Sequence, residues 1–251
     1  MGRDIRMIAT DLDGTLLAGN GHVSDRTVSA LRRAHAAGIV VVAATGRSHR
    51  TAVPRLAPVG VVDWAVCSNG AVLFDLVGAE EVERHPIDDA LLPPIFIDVQ
   101  ANLPQASFAW EMLDGLHYEE GFLAVSPMLD PDAQPWTPVP IDTRRHARSV
   151  SKLMITHPRL AADALLDALA PLLPSGVTPS ASGMTFIEIT KAGVDKAFGL
   201  DRLCARLSIS ADEVMAFGDH LNDLAMLRWA GRGVASVCSR QRRGSCRVTR
   251  P

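Results

Sequence analysis

Two aspartates stand two residues apart directly after the first apolar run of the chain, in the segment Asp-Leu-Asp-Gly-Thr at 11–15. The preceding run, residues 5–10, is typical of a short buried strand, whose alternate residues point the same way, so Asp11 and Asp13 can serve one site. Two neighbouring carboxylates repel each other unless a cation lies between them or one holds a proton. The spacing therefore favours a hard divalent cation with oxygen ligands, most naturally Mg²⁺. The alternative is a solvated acidic turn, because Asp and Gly are ordinary turn residues.

Three later apolar runs also end in small polar residues beside glycine. The polar segments that follow them are Thr45-Gly46-Arg47, Ser68-Asn69-Gly70 and Gly218-Asp219-His220-Leu221-Asn222-Asp223. The carboxyl ends of parallel strands meet at one edge of a sheet, where ligands bind. We therefore expect these residues beside Asp11 and Asp13, with further carboxylates from Asp219 and Asp223. These two acids could also cap the helix that begins there, a role that is compatible with metal binding.

The elements that must position these residues alternate between strand and helix. Ser24 is typical of a helix N-cap, apolar residues follow at helical spacing, and Gly38 suits the left-handed position after the helix. A continuous apolar run at 39–44 then predicts a strand that is covered on both faces. Strand, helix and strand in this order form a right-handed unit with parallel strands in nearly all proteins. The pattern predicts an α/β fold with a parallel sheet.

From about Glu83 this alternation loses its regularity and prolines become frequent. Strands are predicted at 151–156 and 184–189, with an amphipathic helix at 160–173 between them. The regular pattern then resumes, with a helix predicted from about Asp195 to Leu207. We expect a core formed by residues 1–82 and 188–235, interrupted by a separate module at 83–187.

The composition excludes several classes of protein. The 251 residues are 47% hydrophobic and 21% charged, which suits a globular protein with a substantial core. A net charge of −3 offers no broad basic surface for nucleic acid. No apolar stretch approaches the roughly 18 residues of a membrane span, and the first residues lack the apolar core of a signal peptide. The four cysteines show no metal or disulfide spacing, so we expect a cytoplasmic protein with reduced thiols.

Five motifs in order resemble those of the haloacid dehalogenase-like superfamily, and within it the Cof-type phosphatases with a large inserted α/β cap. They are Asp11-Leu-Asp-Gly-Thr15, Ala44-Thr-Gly-Arg47, Ser68-Asn-Gly-Ala71, Gly193-Val-Asp-Lys196 and Gly218-Asp-His-Leu-Asn-Asp223. The resemblance covers the chain as far as about Ala235. It implies a Rossmann-like core with a parallel sheet, an inserted cap, and Mg²⁺-dependent hydrolysis of small phosphorylated metabolites such as sugar phosphates.

The resemblance also implies a role for each motif. Asp11 would be the nucleophile that forms an aspartyl-phosphate, and Asp13 the general acid and then the general base. The carboxylates of Asp11 and Asp219 and the backbone carbonyl of Asp13 would hold Mg²⁺. The residues that would bind the phosphoryl oxygens are Thr45 and Gly46, and Lys196 would pair with both the phosphate and Asp11.

Other residues near the motifs have two interpretations. Arg47 and Asn69 either contact the substrate or its phosphate, or only cap a helix and shape a turn. Asn222 is a further candidate for phosphate binding, and together with Asp223 it would orient the metal ligands and Lys196. Lys191 competes with Lys196 for the catalytic role, but the resemblance implies a catalytic lysine directly after Gly-Val-Asp at a helix start, which favours Lys196.

The remaining candidates have weaker support. His220 is expected to be structural or exposed despite its place among acids. In the inserted module, Trp110, Glu111, Tyr118 and Trp136 could line a substrate pocket, although packing or surface exposure is the more ordinary explanation.

The resemblance fails at residues 236–251, which contain five arginines and two cysteines without an apolar period. This Arg-rich tail indicates either a replaced or out-of-frame end of the core, or a basic segment for an acidic partner. An uncovered core edge would favour marginal stability, aggregation or a homodimer. Two alternative functions also follow: a phosphosugar mutase, and a catalytically weak binding or regulatory protein. A hydrolytic dehalogenase is disfavoured because Asp13 supplies the acid that phosphoryl transfer needs.

Overall fold

A computed structural model of the chain describes residues 4–18, 21–126, 136–138, 144 and 146–236. The strands of these residues are β1 (Met7–Thr10), β2 (Val40–Ala44), β3 (Trp64–Cys67), β4 (Val72–Asp75), β5 (Glu80–Arg84), β6 (Ser107–Glu111), β7 (Leu116–Tyr118), β8 (Trp136–Pro138), β9 (Lys152–Thr156), β10 (Val177–Ser180), β11 (Phe186–Lys191), β12 (Val214–Gly218) and β13 (Arg232–Ala235). The α-helices are α1 (Asp25–Ala36), α2 (His49–Leu56), α3 (Leu92–Asn102), α4 (Glu120–Val125), α5 (Ala162–Leu169), α6 (Lys196–Leu207) and α7 (Leu224–Trp229). The chain divides into two compact units, Met1–Glu83 with Asp195–Pro251, and Arg84–Val194.

The first unit is built on a seven-stranded sheet in the order β13-β12-β1-β2-β3-β4-β5. The strands from β13 to β3 are parallel, whereas β4 runs antiparallel to β3. Residues of α1 and α2 pack on one face of the sheet, and residues of α6 and α7 pack on the other. This arrangement confirms the predicted α/β fold with a parallel, Rossmann-like core.

The first helix of this unit begins and ends where the sequence predicts. The hydroxyl of Ser24 accepts a hydrogen bond from the backbone N–H of Thr27 at 3.2 Å, and α1 starts at the next residue. Gly38 follows the helix with φ of +82°, a conformation that glycine adopts without steric cost. The chain then enters β2, which is buried over most of its length.

The second unit carries a six-stranded sheet in the order β10-β11-β9-β6-β7-β8. Residues of α3 and α5 pack with Phe108, Trp110, Leu153 and Ile189 in one apolar cluster. The unit ends later in the chain than the expected boundary at 187, because β11 pairs antiparallel with both β9 and β10. A strand hydrogen-bonded on both sides belongs to its sheet, so 188–191 are part of the second unit rather than of the core.

The aromatic residues of the second unit have ordinary packing roles where the structure describes them. Trp110 is buried and meets Phe96 edge to face at 5.7 Å between ring centroids. Tyr118 packs at the margin of a smaller cluster that includes Phe122. Glu111 is buried at the end of β6. The side chain of Trp136 lies outside the described residues.

The predictions for the Arg-rich tail also fall outside the described part of the chain, apart from Ser236. In the part that is described, every helix is too short or too polar to cross a lipid bilayer.

Candidate active site

The predicted site residues follow four strands that end at the same edge of the first unit's sheet. The backbone N–H of Asp11 donates to the carbonyl of Phe217 at 2.8 Å, which extends the pairing of β1 with β12 by one step. The N–H of Thr45 donates to the carbonyl of Val66 at 2.8 Å and extends the pairing of β2 with β3 in the same way. The loops that carry the motifs therefore start from a rigid, hydrogen-bonded edge.

Lys196 lies between two carboxylates in the interior of the unit. Its Nζ donates to Oδ1 of Asp11 at 2.6 Å and to Oδ1 of Asp223 at 2.5 Å, and the residue is only 1% exposed. Asp195 caps α6 by accepting from the N–H of Phe198 at 2.8 Å, which makes Lys196 the first residue of the helix. Lys191, the competing candidate, is exposed at the end of β11 in the second unit.

Three carboxylates of this edge are close enough to share one cation. Single oxygens of Asp11, Asp219 and Asp223 all lie within 4.8 Å of one another. Lys196 is the cation paired with this cluster, so three carboxylates against one ammonium leave a net negative charge. Oxygen ligands with excess negative charge fit a hard divalent cation. The cluster could therefore hold a metal ion.

The two oxygens of Asp223 already serve the protein. Oδ1 accepts from Lys196, while Oδ2 accepts from the backbone N–H groups of Asp219 and His220, each at 3.0 Å. Asp223 therefore fixes the turn that carries Asp219. His220 contributes its backbone to this turn, and its side chain is half-buried.

Burial governs the charge of the nucleophile candidate. Desolvation raises the pKa of Asp11 to about 7, although the Lys196 ammonium opposes the shift and Asp223 adds to it. For Lys196, burial alone would lower the pKa, but the two adjacent carboxylates outweigh it and leave the pKa above its usual value. Lys196 is therefore a permanent cation, and without a second positive charge the carboxylate of Asp11 is destabilised.

Thr15, whose role the sequence did not single out, hydrogen-bonds Asp219 and is itself hydrogen-bonded to Ser236. The Thr15 hydroxyl donates to Oδ1 of Asp219 at 2.8 Å and also bonds the Ser236 hydroxyl at 3.0 Å. Gly14 passes so close that a Cβ there would lie 2.5 Å from Oδ2 of Asp219, and its φ is +88°. Thr15 belongs to the first motif and could have been found from it, whereas Ser236 had no signal in the sequence.

Arg47 forms a two-point ion pair with Asp13. Its Nε donates to Oδ2 at 2.6 Å and its terminal nitrogen Nη2 donates to Oδ1 at 2.8 Å. The pair is partly open to solvent, since the Arg47 side chain is 31% exposed and that of Asp13 is 50% exposed. Ser48 occupies the N-cap position of α2. Arg47 therefore does not cap this helix, which was one of the two interpretations of its role.

The turn after β3 connects the remaining motifs. Asn69 adopts a left-handed conformation, its N–H donates to the carbonyl of Thr45 at 3.1 Å, and its Oδ1 accepts from Nδ2 of Asn222 at 3.3 Å. A Cβ on Gly70 would lie 1.9 Å from the carbonyl oxygen of Asp195, so only glycine fits against the start of α6. Gly46 is half-buried between Thr45 and Arg47.

The sequence matches a family model over nearly its whole length. The model of the haloacid dehalogenase-like hydrolases matches residues 8–237. Among curated proteins, the chain is 27% identical to Phosphatase YwpJ of Bacillus subtilis (strain 168), over 94% of this chain and 91% of that protein. It is 28% identical to Pyridoxal phosphate phosphatase YbhA of Escherichia coli (strain K12), over 92% of this chain and 87% of that protein.

Solved structures align with 92% of this chain. A phosphatase of the haloalkanoate superfamily from Bacteroides thetaiotaomicron has a TM-score of 0.77 and 26% identity, covering 92% of this chain and 84% of that one. A haloacid dehalogenase-like hydrolase from B. subtilis has a TM-score of 0.79 at 24% identity, covering 92% and 89% of the two chains. At 24% identity, the second similarity supports the fold alone.

Proposed function

The chain belongs to the haloacid dehalogenase-like hydrolase family, and from this premise we propose that it hydrolyses phosphomonoesters of small phosphorylated metabolites. The observation that carries the proposal is the Lys196 ammonium, held between Asp11 and Asp223 at the sheet edge that also presents Asp219. A nucleophilic carboxylate, a fixed cation and a second acid for a metal ion are the parts that phosphoryl transfer requires.

The residues of the first unit suit a two-step reaction. Asp11 attacks the phosphorus atom and forms an aspartyl-phosphate, while the departing alkoxide takes a proton from Asp13. Asp13, now a carboxylate, accepts a proton from the water that hydrolyses the aspartyl-phosphate and releases phosphate. The Thr45 hydroxyl accepts from the backbone N–H of Arg47 at 3.1 Å, which leaves its own proton to donate to a phosphoryl oxygen.

Magnesium is the metal ion that we propose for this site. The carboxylates of Asp11 and Asp219 and the backbone carbonyl of Asp13 would hold it. When bound, Mg²⁺ would offset the repulsion between an anionic nucleophile and an anionic phosphate. Thr15 and Asp223 keep Asp219 in position for this role through the hydrogen bonds described above.

The relatives indicate the substrate class. Besides the pyridoxal phosphate phosphatase, they include an HMP-PP phosphatase of Serratia proteamaculans (strain 568) and a 5-amino-6-(5-phospho-D-ribitylamino)uracil phosphatase of B. subtilis. These proteins are named for small phosphorylated compounds that differ in their organic part. We therefore propose a small phosphorylated metabolite of the same general kind, with sugar phosphates and cofactor precursors as the first candidates.

Metal removal tests the proposed function directly. We expect release of inorganic phosphate from one or more members of a phosphometabolite panel, and from p-nitrophenyl phosphate, in the presence of Mg²⁺. Excess EDTA should abolish this activity and added Mg²⁺ should restore it, because the uncompensated carboxylates repel the phosphate. An enzyme inactive on the whole panel would contradict the function, and activity that persists in EDTA would contradict the metal.

Proton competition at Asp11 gives a second expected result. Because the pKa of Asp11 is raised to about 7, the carboxyl group is mostly protonated below that pH and must lose its proton to bind Mg²⁺. About nine-tenths of a carboxyl group is ionised one pH unit above its pKa, and about one-tenth one unit below it. We therefore expect the apparent Mg²⁺ affinity to fall about tenfold between pH 8 and pH 6. Calorimetric titrations in two buffers of different ionisation enthalpy would measure both the affinity and the released proton.

The Asp11→Asn variant is the control for this titration. Its amide has no proton to exchange in this range, so its weaker Mg²⁺ binding should vary much less with pH. A wild-type affinity that is the same at pH 6 and pH 8 would show that Asp11 is ionised throughout.

A further inference from the structure

The ion pair between Arg47 and Asp13 occupies both oxygens of the carboxylate that the proposed reaction uses as acid and base. Each oxygen accepts one hydrogen bond from the guanidinium, at 2.6 and 2.8 Å. A carboxyl group must carry a proton on one oxygen and point it at the leaving group in order to act as an acid. The two-point ion pair fixes the orientation of both oxygens, so opening of the pair frees the carboxyl group to carry a proton and turn it toward the leaving group.

The backbone of Arg47 lies beside the residues that are proposed to bind the phosphoryl group. The backbone N–H of Arg47 donates to the hydroxyl of Thr45, and the Arg47 carbonyl accepts from the N–H of Ser68 at 2.8 Å. The backbone of Arg47 is thus fixed beside the two residues proposed to bind phosphate, Thr45 and Gly46, while its side chain is partly exposed. A guanidinium binds phosphate oxygens in the same two-point geometry as a carboxylate, so the two anions can compete for it.

The site contains two cations of different kind. Lys196 is buried between two carboxylates, and removing it from them would leave charges without compensation in the interior. Arg47 pairs with a half-exposed carboxylate, where water or another anion can replace either partner. Exchange of Arg47 from Asp13 to another anion therefore costs less than removal of Lys196 from its two buried partners.

From these contacts, and resting on the proposed function, we propose that the Arg47 guanidinium alternates between two partners. In the substrate-free site it holds Asp13 in the two-point ion pair. The phosphoryl group of the arriving substrate takes over the guanidinium, and the same event releases Asp13, which takes up a proton from solvent and then faces the leaving group. Binding of phosphate and freeing of the acid–base carboxylate are thus one exchange.

Competition for one guanidinium can be measured as a double-mutant cycle on phosphate binding. We would titrate inorganic phosphate into the wild type, D13N, R47Q and the double variant by calorimetry at constant Mg²⁺. R47Q should weaken phosphate binding about tenfold or more, through loss of a charge-assisted contact. D13N should tighten it several-fold, because the competing anion is gone.

The cycle separates the exchange from simple charge repulsion. Asp13 also repels phosphate through space, and that contribution persists without Arg47. We therefore expect the gain from D13N to be clearly smaller in the R47Q background than in the wild type. Equal gains in both backgrounds, or an R47Q variant that binds phosphate as the wild type does, would overturn the exchange.

Steady-state kinetics give a readout that a merely structural residue would not change. R47Q should raise KM much more than it lowers kcat, and by a similar factor for p-nitrophenyl phosphate and for an alkyl phosphate. D13N should instead lower kcat, most strongly for the alkyl ester, whose leaving group needs the proton. R47K keeps the charge without the two-point geometry and should lie between wild type and R47Q in KM.

The outcomes distinguish this inference from the proposed function. A wild type without phosphatase activity would remove the function, whatever the phosphate affinities are. An active wild type whose R47Q variant loses kcat equally with all esters, at unchanged KM, would retain the function and refute the exchange. Thermal unfolding of R47Q close to that of the wild type would confirm that the fold is intact.

Discussion

The Asp11→Asn variant is expected to lose phosphatase activity almost completely while keeping its fold. An amide is a poor nucleophile and a weaker metal ligand than a carboxylate, so both proposed functions of the residue disappear together. Removal of a catalytic nucleophile can cost on the order of 10⁶-fold in kcat, and we expect a loss of at least about 10⁴-fold. The rate on p-nitrophenyl phosphate at saturating Mg²⁺ would measure it.

The stability of this variant should change little. In the metal-free site burial raises the pKa of Asp11, which means that its charged form is held at a cost. The neutral amide avoids that cost and can still accept the hydrogen bond from Lys196, which retains its ion pair with Asp223. Asp201→Asn, at an exposed position of α6, is the matched control and should keep full activity. Substantial turnover by Asp11→Asn would assign the nucleophile to another residue.

The sequence predicted the location of the site because the relevant signal is local. Each motif follows an apolar run, and apolar runs in alternation with helices form parallel strands whose carboxyl ends coincide. This reasoning suffices to bring Asp11, Thr45, Asn69 and Asp219 to one edge, where the structure places them. It also predicts α1 from Ser24 and Gly38, since caps are read from single residues.

The pairings within the site could not be predicted from the sequence. Arg47 had two interpretations, because its contact with Asp13 depends on side-chain conformations in two different loops. The bond from Thr15 to Ser236 joins residues 221 positions apart, and Ser236 adjoins a segment without any recognisable pattern. The boundary near 187 failed for a related reason, since strand pairing rather than local composition assigns β11 to the second unit.

Among the variants described, Lys196→Met is expected to lose the most stability, and it should also lose much of its activity. Methionine nearly preserves the volume but leaves Asp11 and Asp223 buried without their cation. Breaking a buried ion pair by removing one partner destabilises proteins by about 3–5 kcal/mol. The variant also lacks the cation that faces the transferred phosphoryl group, so we expect kcat to fall about 10²-fold or more. Removal of one electrostatic contact to the transition state has an effect of this size in other enzymes.

The pH dependence of this destabilisation has a definite sign. Without Lys196 the pKa of Asp11 must rise further in the folded state, because burial favours its neutral form and the ammonium that opposed this shift is gone. A group whose pKa is raised on folding stabilises the protein at low pH and loses that contribution as the pH rises. The deficit of Lys196→Met in the free energy of unfolding by urea should therefore be larger at pH 8 than at pH 5.5.

Two further variants locate the cause of the deficit. Lys191→Met removes an exposed lysine five residues earlier and should have little effect on stability at either pH. Combining Lys196→Met with Asp223→Asn removes one of the two uncompensated charges and should recover part of the lost stability, although the turn that carries Asp219 loses an acceptor.

Mg²⁺ should also stabilise Lys196→Met more than it stabilises the wild type, since the ion supplies the missing positive charge beside Asp11. A deficit that is unchanged by pH, by the second substitution and by Mg²⁺ would instead arise from packing around the methionine, and the electrostatic account of this cluster would be wrong.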